Sequence, residues 1–346
     1  MELADRIKSF EFLGDRLRRY HESSTDPELR PLVDAADSAF AENPWFTPKH
    51  IRLALNSLGK TLDHDHLTNW LACYRDRLLQ PVPQRRVGVV MAGNIPAVGF
   101  HDFLCVLISG HKFIGRLSSS DARLIPAMAS VLIEDCHAWQ HDITFTTGRL
   151  EGFDTVIATG SDNTSRYFEF YFGKYPNIIR KNRNSVAILD GSEDPGTLER
   201  VADDIMCYFG LGCRSVSKVF VPAGYDFSPL IKALGKYQEF TNHNKYCNNY
   251  DYSKSVFLVN QVPFTDAGCL LLREDPALAS RIAVLHYEYY QSPGEVQTFV
   301  ETNRDLIQCV VSNAPFPFVS VLPGDAQKPG LSDYADGVDT LNFLLA

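Results

Sequence analysis

The segment YFGLGCRSVSKVFVP, residues 208–222, sets one cysteine between a glycine-containing turn and an apolar run. A deprotonated thiol held out on a bend attacks carbonyl carbon. Buried among apolar side chains it is an inert small hydrophobe, the usual fate of an unbridged cysteine. The choice turns on whether other polar groups occupy matching positions. Asn94 falls in a turn after the apolar run VGVV (87–90), where its amide can brace the turn or donate to an oxygen that gains charge. Ser118, Ser119 and Ser120 follow a second apolar run, and Thr159, Gly160 and Ser161 a third. Glycine and hydroxyl residues just ahead of a helix can present N–H groups and a hydroxyl to a phosphate, helped by the helix dipole. Such turns are common in loops, and alone they point to no ligand.

Other chemistries find little support. The eight cysteines include no C-x-x-C pair of the kind used for zinc or thioredoxin-like redox work, and no metal is expected. His64-Asp65-His66 lies in a polar patch after Gly59-Lys60 and reads as a solvated connection. A net charge of −9 argues against nucleic acid, since neutralising phosphates takes a basic surface, and the cluster Arg180, Lys181, Arg183 is too short to reverse that. No apolar run approaches the roughly 18 residues a membrane helix needs. The opening MELADRIKSF has no signal-peptide core, so a cytoplasmic protein with reduced cysteines is expected.

At 346 residues the chain is long for one core, and two lobes with extensions are expected. Residues 1–80 read as helices. In TPKHIRLALNSLG, Thr47 caps, Pro48 suits the first turn, Ile51, Leu55 and Leu58 share a face, and Gly59 ends the helix. From VGVV onward, short apolar strands alternate with helices: VGFHDFLCVLISG, HKFIGRL, LIPAMASVLIEDCHAW, FDTVIATG and NSVAILD. That alternation predicts a parallel sheet with crossover helices, a doubly wound nucleotide-binding lobe over 81–189 whose ligands bind at the carboxyl ends of its strands.

A second α/β lobe, 190–325, opens with the helix LERVADDIMCYF, which places Cys207 on an apolar face, and continues with SKVFVP as a strand. KSVFLVN, AVLHYEYY and LIQCVVS suggest later strands, and TNHNKYCNNYDY (241–252) a polar loop or the border of a substrate channel. The tail, 326–346, ends in an apolar run that reads as an edge strand seeking a partner. His101 and Asp102, on the buried helix after the Asn94 turn, read either as groups orienting a site or as a satisfied buried pair.

Taken in order, GNIP, GHKFIGRLSSSD, ATGSDNT and FGLGCRSVSKVFVP are similar to motifs of the aldehyde dehydrogenase superfamily. With VSKVFVP and the closing YADGVDTL, residues from about 80 onward more closely resemble the LuxC-type acyl-CoA reductases, the fatty acid reductase subunits of bacterial luminescence and their relatives. The resemblance implies an aldehyde dehydrogenase-like fold, a Rossmann-like nucleotide lobe plus an α/β catalytic lobe, with a helical N-terminal extension. It also implies a homodimer built through a strand near residues 79–86 and the C-terminal strand.

By the same resemblance Cys213 is the nucleophile that carries the acyl group as a thioester. Asn94 and the Cys213 N–H form the oxyanion hole. Thr159, Gly160 and Ser161 form the cofactor-phosphate turn. Arg116 stands where a lysine usually meets the adenosine ribose, and Ser119 where NAD-preferring members often have glutamate. A glutamate there would repel a 2′-phosphate, whereas serine and arginine can bind one, so NADPH is expected over NADH.

Two departures from the superfamily pattern stand out. The water-activating glutamate of the hydrolytic enzymes aligns at or near Arg180, and no acid occurs in residues 176–188. Without that base, water is a poor competitor for an acyl-enzyme. The glutamate that holds the nicotinamide ribose has no clear counterpart, Glu288 being nearest in a stretch that reads as strand. The expected activity is reduction of acyl-CoA to aldehyde. The alternatives are another activated donor, either an acyl phosphate or an acyl-protein thioester handed over by a partner synthetase, and a non-catalytic acyl-binding scaffold.

Overall fold

The computed structural model describes residues 1–80, 83–160 and 162–346. It divides into two compact units, Met1–Asn182 with Gly330–Ala346, and Arg183–Pro329.

The first unit opens with five helices, α1 (Leu3–Arg19), α2 (Arg30–Glu42), α3 (Pro48–Thr61), α4 (His64–Leu71) and α5 (Arg75–Leu78). Thr47 caps α3 by accepting from the His50 N–H, with Pro48 in the first turn, and Ile51 and Leu55 are buried on one face. Gly59 does not end that helix. A Cβ there would lie 2.7 Å from the Arg18 nitrogen and 2.9 Å from the Gly14 carbonyl oxygen, so the glycine lets α1 and α3 cross closely. His64-Asp65-His66 is the first turn of α4 rather than a connection: Asp63 caps it, and His64 pairs with Glu11.

The sheet follows as β1 (Arg86–Val90), α6 (Phe100–Ile108), β2 (Lys112–Arg116), α7 (Leu124–Asp135), β3 (Ile143–Thr146), β4 (Thr155–Thr159), α8 (Asp162–Phe172) and β5 (Asn177–Arg180). All strands are parallel in the order β3-β2-β1-β4-β5. The chain winds outward from β1 through β2 and β3, then crosses to β4. The carboxyl ends of β1 and β4 therefore flank a topological switch point, where ligands bind in open α/β sheets. Helix α6 is apolar nearly all round because it is covered all round. Its Phe103 meets Phe10 of α1 edge-on at 6.5 Å and Phe113 of β2 at 5.0 Å.

The second unit contains β6 (Asn184–Ile188), α9 (Pro195–Met206), β7 (Val216–Pro222), α10 (Ser228–Leu234), α11 (Asn244–Val259), β8 (Thr265–Asp266), β9 (Leu271–Glu274), β10 (Val284–Tyr290), α12 (Pro293–Thr302) and β11 (Ile307–Ser312). Its sheet runs β11-β6-β7-β10-β9-β8, parallel except for β8. NSVAILD thus supplies β6 of this second sheet, paired with β7 and β11, and not a strand of the nucleotide lobe as expected from sequence. The unit changes at Arg183, ahead of the expected boundary after residue 189.

Two other elements differ from the sequence reading. KSVFLVN, expected as a strand, and TNHNKYCNNYDY, expected as a loop, together contribute most of α11. Tyr246, Tyr250, Ser253 and Phe257 are buried at helical spacing while Leu258 and Val259 face solvent, so the longer period overrides the β-branched composition. The tail is likewise a helix, α13 (Thr340–Leu344), and not an edge strand. Leu341, Leu344 and Leu345 share one buried face, Asp339 caps the helix, and the Leu344 carbonyl accepts from Arg85 at 2.5 Å and bonds the His111 ring at 2.9 Å. A run with spacing i, i+3, i+4 packs as a helix on its own unit and leaves no strand ladder for a second copy. The strand expected near 79–86 begins only at Arg86; residues 81 and 82 lie outside the described residues.

Candidate active site

The backbone before Cys213 is strained. Tyr208, Phe209 and Gly210 take φ of 54°, 57° and 72° in succession, a left-handed run that only the glycine adopts freely. Each of the other two costs about 1–2 kcal/mol. Burial of the aromatic rings offsets this: Phe209 packs on Phe240 at 4.3 Å, His243 at 4.7 Å and Tyr246 at 5.6 Å.

The chain emerges from this bend into the turn that carries Cys213. That turn closes through the Ser215 N–H to the Gly212 carbonyl (3.0 Å) and the Gly212 N–H to Ser215 Oγ (3.3 Å). It is tied to its surroundings from three sides. Ser185 Oγ donates to the Cys213 carbonyl at 2.9 Å, Arg214 Nε to the Ala326 carbonyl at 2.5 Å, and Gln327 Nε2 to Ser215 Oγ at 3.1 Å. The loop bearing Ala326 is itself held by Asp204, a buried carboxylate that accepts from the Gly324 (2.6 Å) and Ala326 (3.1 Å) N–H groups. Burial pushes its pKa up to about 6. Cys213 is exposed, whereas Cys207, Cys269 and Cys309 of the same unit are buried. Backbone strain next to an exposed thiol, held by a rigid frame, is the kind of feature that clusters at functional sites.

In the first unit, Asn94 lies exposed in the bend after β1. Arg116 ends β2, exposed, with Nε donating to the Gly148 carbonyl at 3.0 Å, and Ser119 is exposed just beyond. Thr159 ends β4, and Gly160 follows. Val90 pairs in register with Arg116 on one side and Ala158 on the other, so these residues gather at the carboxyl ends of three adjacent strands. Ser161 lies outside the described residues.

A Cβ at Gly160 would lie 2.8 Å from the Phe168 ring and 3.1 Å from Thr164, so only glycine lets β4 run so tightly into α8. The first N–H groups of α8 then lie just beyond the strand end.

Arg180, at the end of β5, is buried. It makes a two-pronged pair with Asp102 (2.5 and 2.9 Å) and donates to Thr340 Oγ1 at 2.8 Å. Burial works to lower its pKa, but the attraction of Asp102 prevails and raises it. Asp102 therefore serves Arg180 and the tail. His101, its pKa lowered by burial, bonds the Leu331 carbonyl through Nε2 at 2.9 Å and packs against Tyr334 at 5.3 Å. Both are structural members of the first unit.

Glu288 ion-pairs with Lys218 of β7. That lysine is 0% exposed, donates also to the Pro276 (2.8 Å) and Asp275 (3.2 Å) carbonyls, and lies over the rings of Phe220 and Phe299. Glu288 is accordingly the counter-ion of a buried cation. Sequence reasoning missed Lys218, Asp204 and Asp121, the last buried between β2 and α7. Their partners lie far away in sequence, and a lone acid or lysine in an apolar stretch gives no local signal. Among the described residues, no group of three or more potential metal ligands gathers, and no helix is long and apolar enough to cross a membrane.

A sequence model of the acyl-CoA reductase (LuxC) family matches residues 45–239, more than half of the chain, including both Asn94 and Cys213. No curated protein sequence matches the chain. Among solved structures, an NADP-dependent enzyme of E. coli matches with a TM-score of 0.63 and 13% identity, over 92% of this chain and 74% of that one. An indole-3-acetaldehyde dehydrogenase from P. syringae, in complex with NAD+, matches at 0.60 and 13% identity over 90% and 72%. A glyceraldehyde-3-phosphate dehydrogenase from Methanocaldococcus jannaschii, complexed with NADP, matches at 0.59 and 12% identity over 92% and 83%. At such low identity the likeness establishes the fold, which is that of the aldehyde dehydrogenases. The family match spans the turns of Asn94 and Cys213 on that fold, and the chain belongs to the acyl-CoA reductase (LuxC) family, oxidoreductases that convert an activated acyl group to an aldehyde.

Proposed function

We propose that the protein reduces acyl-CoA to aldehyde through an acyl-Cys213 intermediate. The observation that carries this reading is the exposed Cys213 on a turn that follows the strained 208–210 bend and is held from three sides. Its thiolate attacks the thioester carbonyl carbon, and negative charge develops on the carbonyl oxygen. By their match to the family's motifs, Asn94 Nδ2 and the Cys213 N–H would donate to that oxygen. Collapse breaks the carbon–sulfur bond to CoA, which leaves as a thiolate and takes a proton from water. The acyl group is then on Cys213 Sγ.

Residues Thr159, Gly160 and Ser161 would hold the pyrophosphate of a nicotinamide cofactor, and Arg116 with Ser119 its adenosine ribose. When bound, that cofactor supplies a hydride. In the closing half-reaction Asn94 again stabilises the oxyanion, and the Cys213 thiolate departs as aldehyde is released. The burial of Arg180 against Asp102 supports reduction over hydrolysis, because the side chain at the usual water-activating position is a cation engaged elsewhere.

Loss of one oxyanion donor typically costs about 10²–10³ in kcat, and Asn94→Ala is expected to slow acylation by that factor. CoA release in a single turnover measures it, and an unchanged rate would remove Asn94 from the role. Ser119→Glu is expected to move cofactor preference from NADPH toward NADH by roughly tenfold to a hundredfold, since a carboxylate repels the 2′-phosphate. The kcat/KM ratio for the two cofactors reads this out, and an unmoved ratio would place the ribose elsewhere. Donor class is decided by following NADPH oxidation with acyl-CoA, acyl phosphate and acyl-carrier protein. Turnover confined to acyl phosphate or to the carrier protein would overturn the CoA assignment, and acylation without oxidation would point to an acyl-binding scaffold.

A further inference from the structure

Asp121, in the loop between β2 and α7, is only 5% exposed. Its Oδ2 accepts from the Ala97 N–H at 2.7 Å, its Oδ1 faces the Leu124 N–H at 3.4 Å, and its own N–H donates to the Ser118 carbonyl at 3.2 Å. The carboxylate thus joins the turn after β1 to the start of α7, while the backbone N–H of the same residue ties it to the segment after β2. The turn after β1 is the one that carries Asn94, and two features show that it depends on this contact. Ala97, buried, takes φ of 56°, a conformation a non-glycine residue keeps only when its surroundings impose it. Gly93 packs so closely on the Asp121 loop that a Cβ would lie 2.5 Å from Ser118 Oγ and 3.1 Å from the Asp121 nitrogen. A charge-assisted bond to the Ala97 N–H supplies the constraint.

We propose that Asp121 is a positioning residue for the reduction: by holding the Ala97 N–H it fixes the turn from which the Asn94 amide meets the developing oxyanion. This rests on the oxyanion role assigned to Asn94 above. A misplacement of about 1 Å can cost on the order of 100-fold in rate, so a buried carboxylate that touches no substrate can still govern acylation.

Titration adds a signature. Burial raises the Asp121 pKa to about 6 while the backbone N–H groups work to lower it. The 91–99 turn has no titratable residue. Arg116, at the end of β2, is bound to the Gly148 carbonyl, and Arg123, beside α7, is paired with Glu42 of α2. As pH falls through about 6 the carboxylate is neutralised and its hold on the turn weakens.

A double-mutant cycle tests the proposal, with single-turnover CoA release as the readout. Asp121→Ala is expected to slow acylation by about tenfold to a hundredfold, with little change in the KM for acyl-CoA. In an Asn94→Ala background the same substitution should cost nothing further. Equal losses in the two backgrounds would overturn the proposal, because a merely structural role acts whether or not Asn94 is present. Asp121→Asn, which keeps one acceptor oxygen, covers the case in which the alanine variant fails to fold. It should lose the step in the acylation rate near pH 6 expected of the parent, keeping only the fall from protonation of the Cys213 thiolate that both proteins share, and a pH profile of the same shape as the parent's would also overturn the proposal. If Asn94→Ala alone leaves acylation intact, the oxyanion assignment fails and this inference falls with it. If Asn94→Ala slows acylation and Asp121→Ala does not, only this inference fails.

Discussion

Cys213→Ala is expected to abolish the acyl adduct and to reduce aldehyde formation by a factor on the order of 10⁴–10⁶, the scale on which an enzyme loses activity when its covalent nucleophile is removed. Intact-mass spectrometry after mixing with acyl-CoA should show one added acyl group on the parent protein and none on the variant. With NADPH present, the parent's adduct should disappear as aldehyde accumulates. Stability should hardly change, because the side chain is exposed and the turn is held by backbone and neighbouring groups: Ser185 on the Cys213 carbonyl, Arg214 on Ala326 and Gln327 on Ser215. Cys73→Ala supplies the control, since Cys73 is also exposed but lies among the N-terminal helices. An adduct that survives in Cys213→Ala and disappears in Cys73→Ala would move the nucleophile to the wrong unit for this mechanism.

Arg180→Glu is the second large effect, and it is expected to act on stability. On alignment alone the substitution restores the water-activating acid and should convert a reductase into a hydrolase. The structure gives a different outcome. The Arg180 and Asp102 side chains are 6% and 8% exposed, and the guanidinium also supports Thr340 at the start of α13. A glutamate would leave two carboxylates facing each other without a cation, and breaking a buried pair costs about 3–5 kcal/mol. That is a large share of the 5–15 kcal/mol typical of a whole domain.

Chemical denaturation should therefore show a first unit weakened by that amount, and no carboxylic acid should form from acyl-CoA. Arg180→Met with Asp102→Leu should be much less damaging than Arg180→Glu, because removing both charges leaves neither uncompensated. A stable Arg180→Glu variant that releases acid would mean that this position faces the acyl-enzyme after all.

The placement of Asn94, Arg116, Ser119 and Gly160 at or just beyond strand ends can be read from the sequence, because an apolar strand followed by glycine, proline or serine is decided locally, and Cys213 can be read as a turn residue because glycines precede it and the apolar run of β7 follows it. Chain order alone indicated that alternating strands and helices make parallel sheets with these turns at one end, and the structure has that topology.

Tertiary structure decided what local pattern left open. KSVFLVN and the C-terminal run carry apolar residues that suit either period, and only the burial of Phe257 on the same helix face as Tyr250 and Tyr246, or of Leu341 with Leu344 and Leu345, selects the helix. Gly59 looks like a helix end until the approach of α1 shows why a side chain cannot stand there. Arg180 finds Asp102 78 positions away and Thr340 160 positions away, and the Ala97 N–H meets Asp121 across 24. A buried charge is tolerable only with its partner, and the partner is set by how strands and helices stack, information spread over the whole chain. The sequence by itself determined where the thiol, amide and hydroxyl groups stand relative to strands and turns; the packed structure decided which buried groups brace those turns.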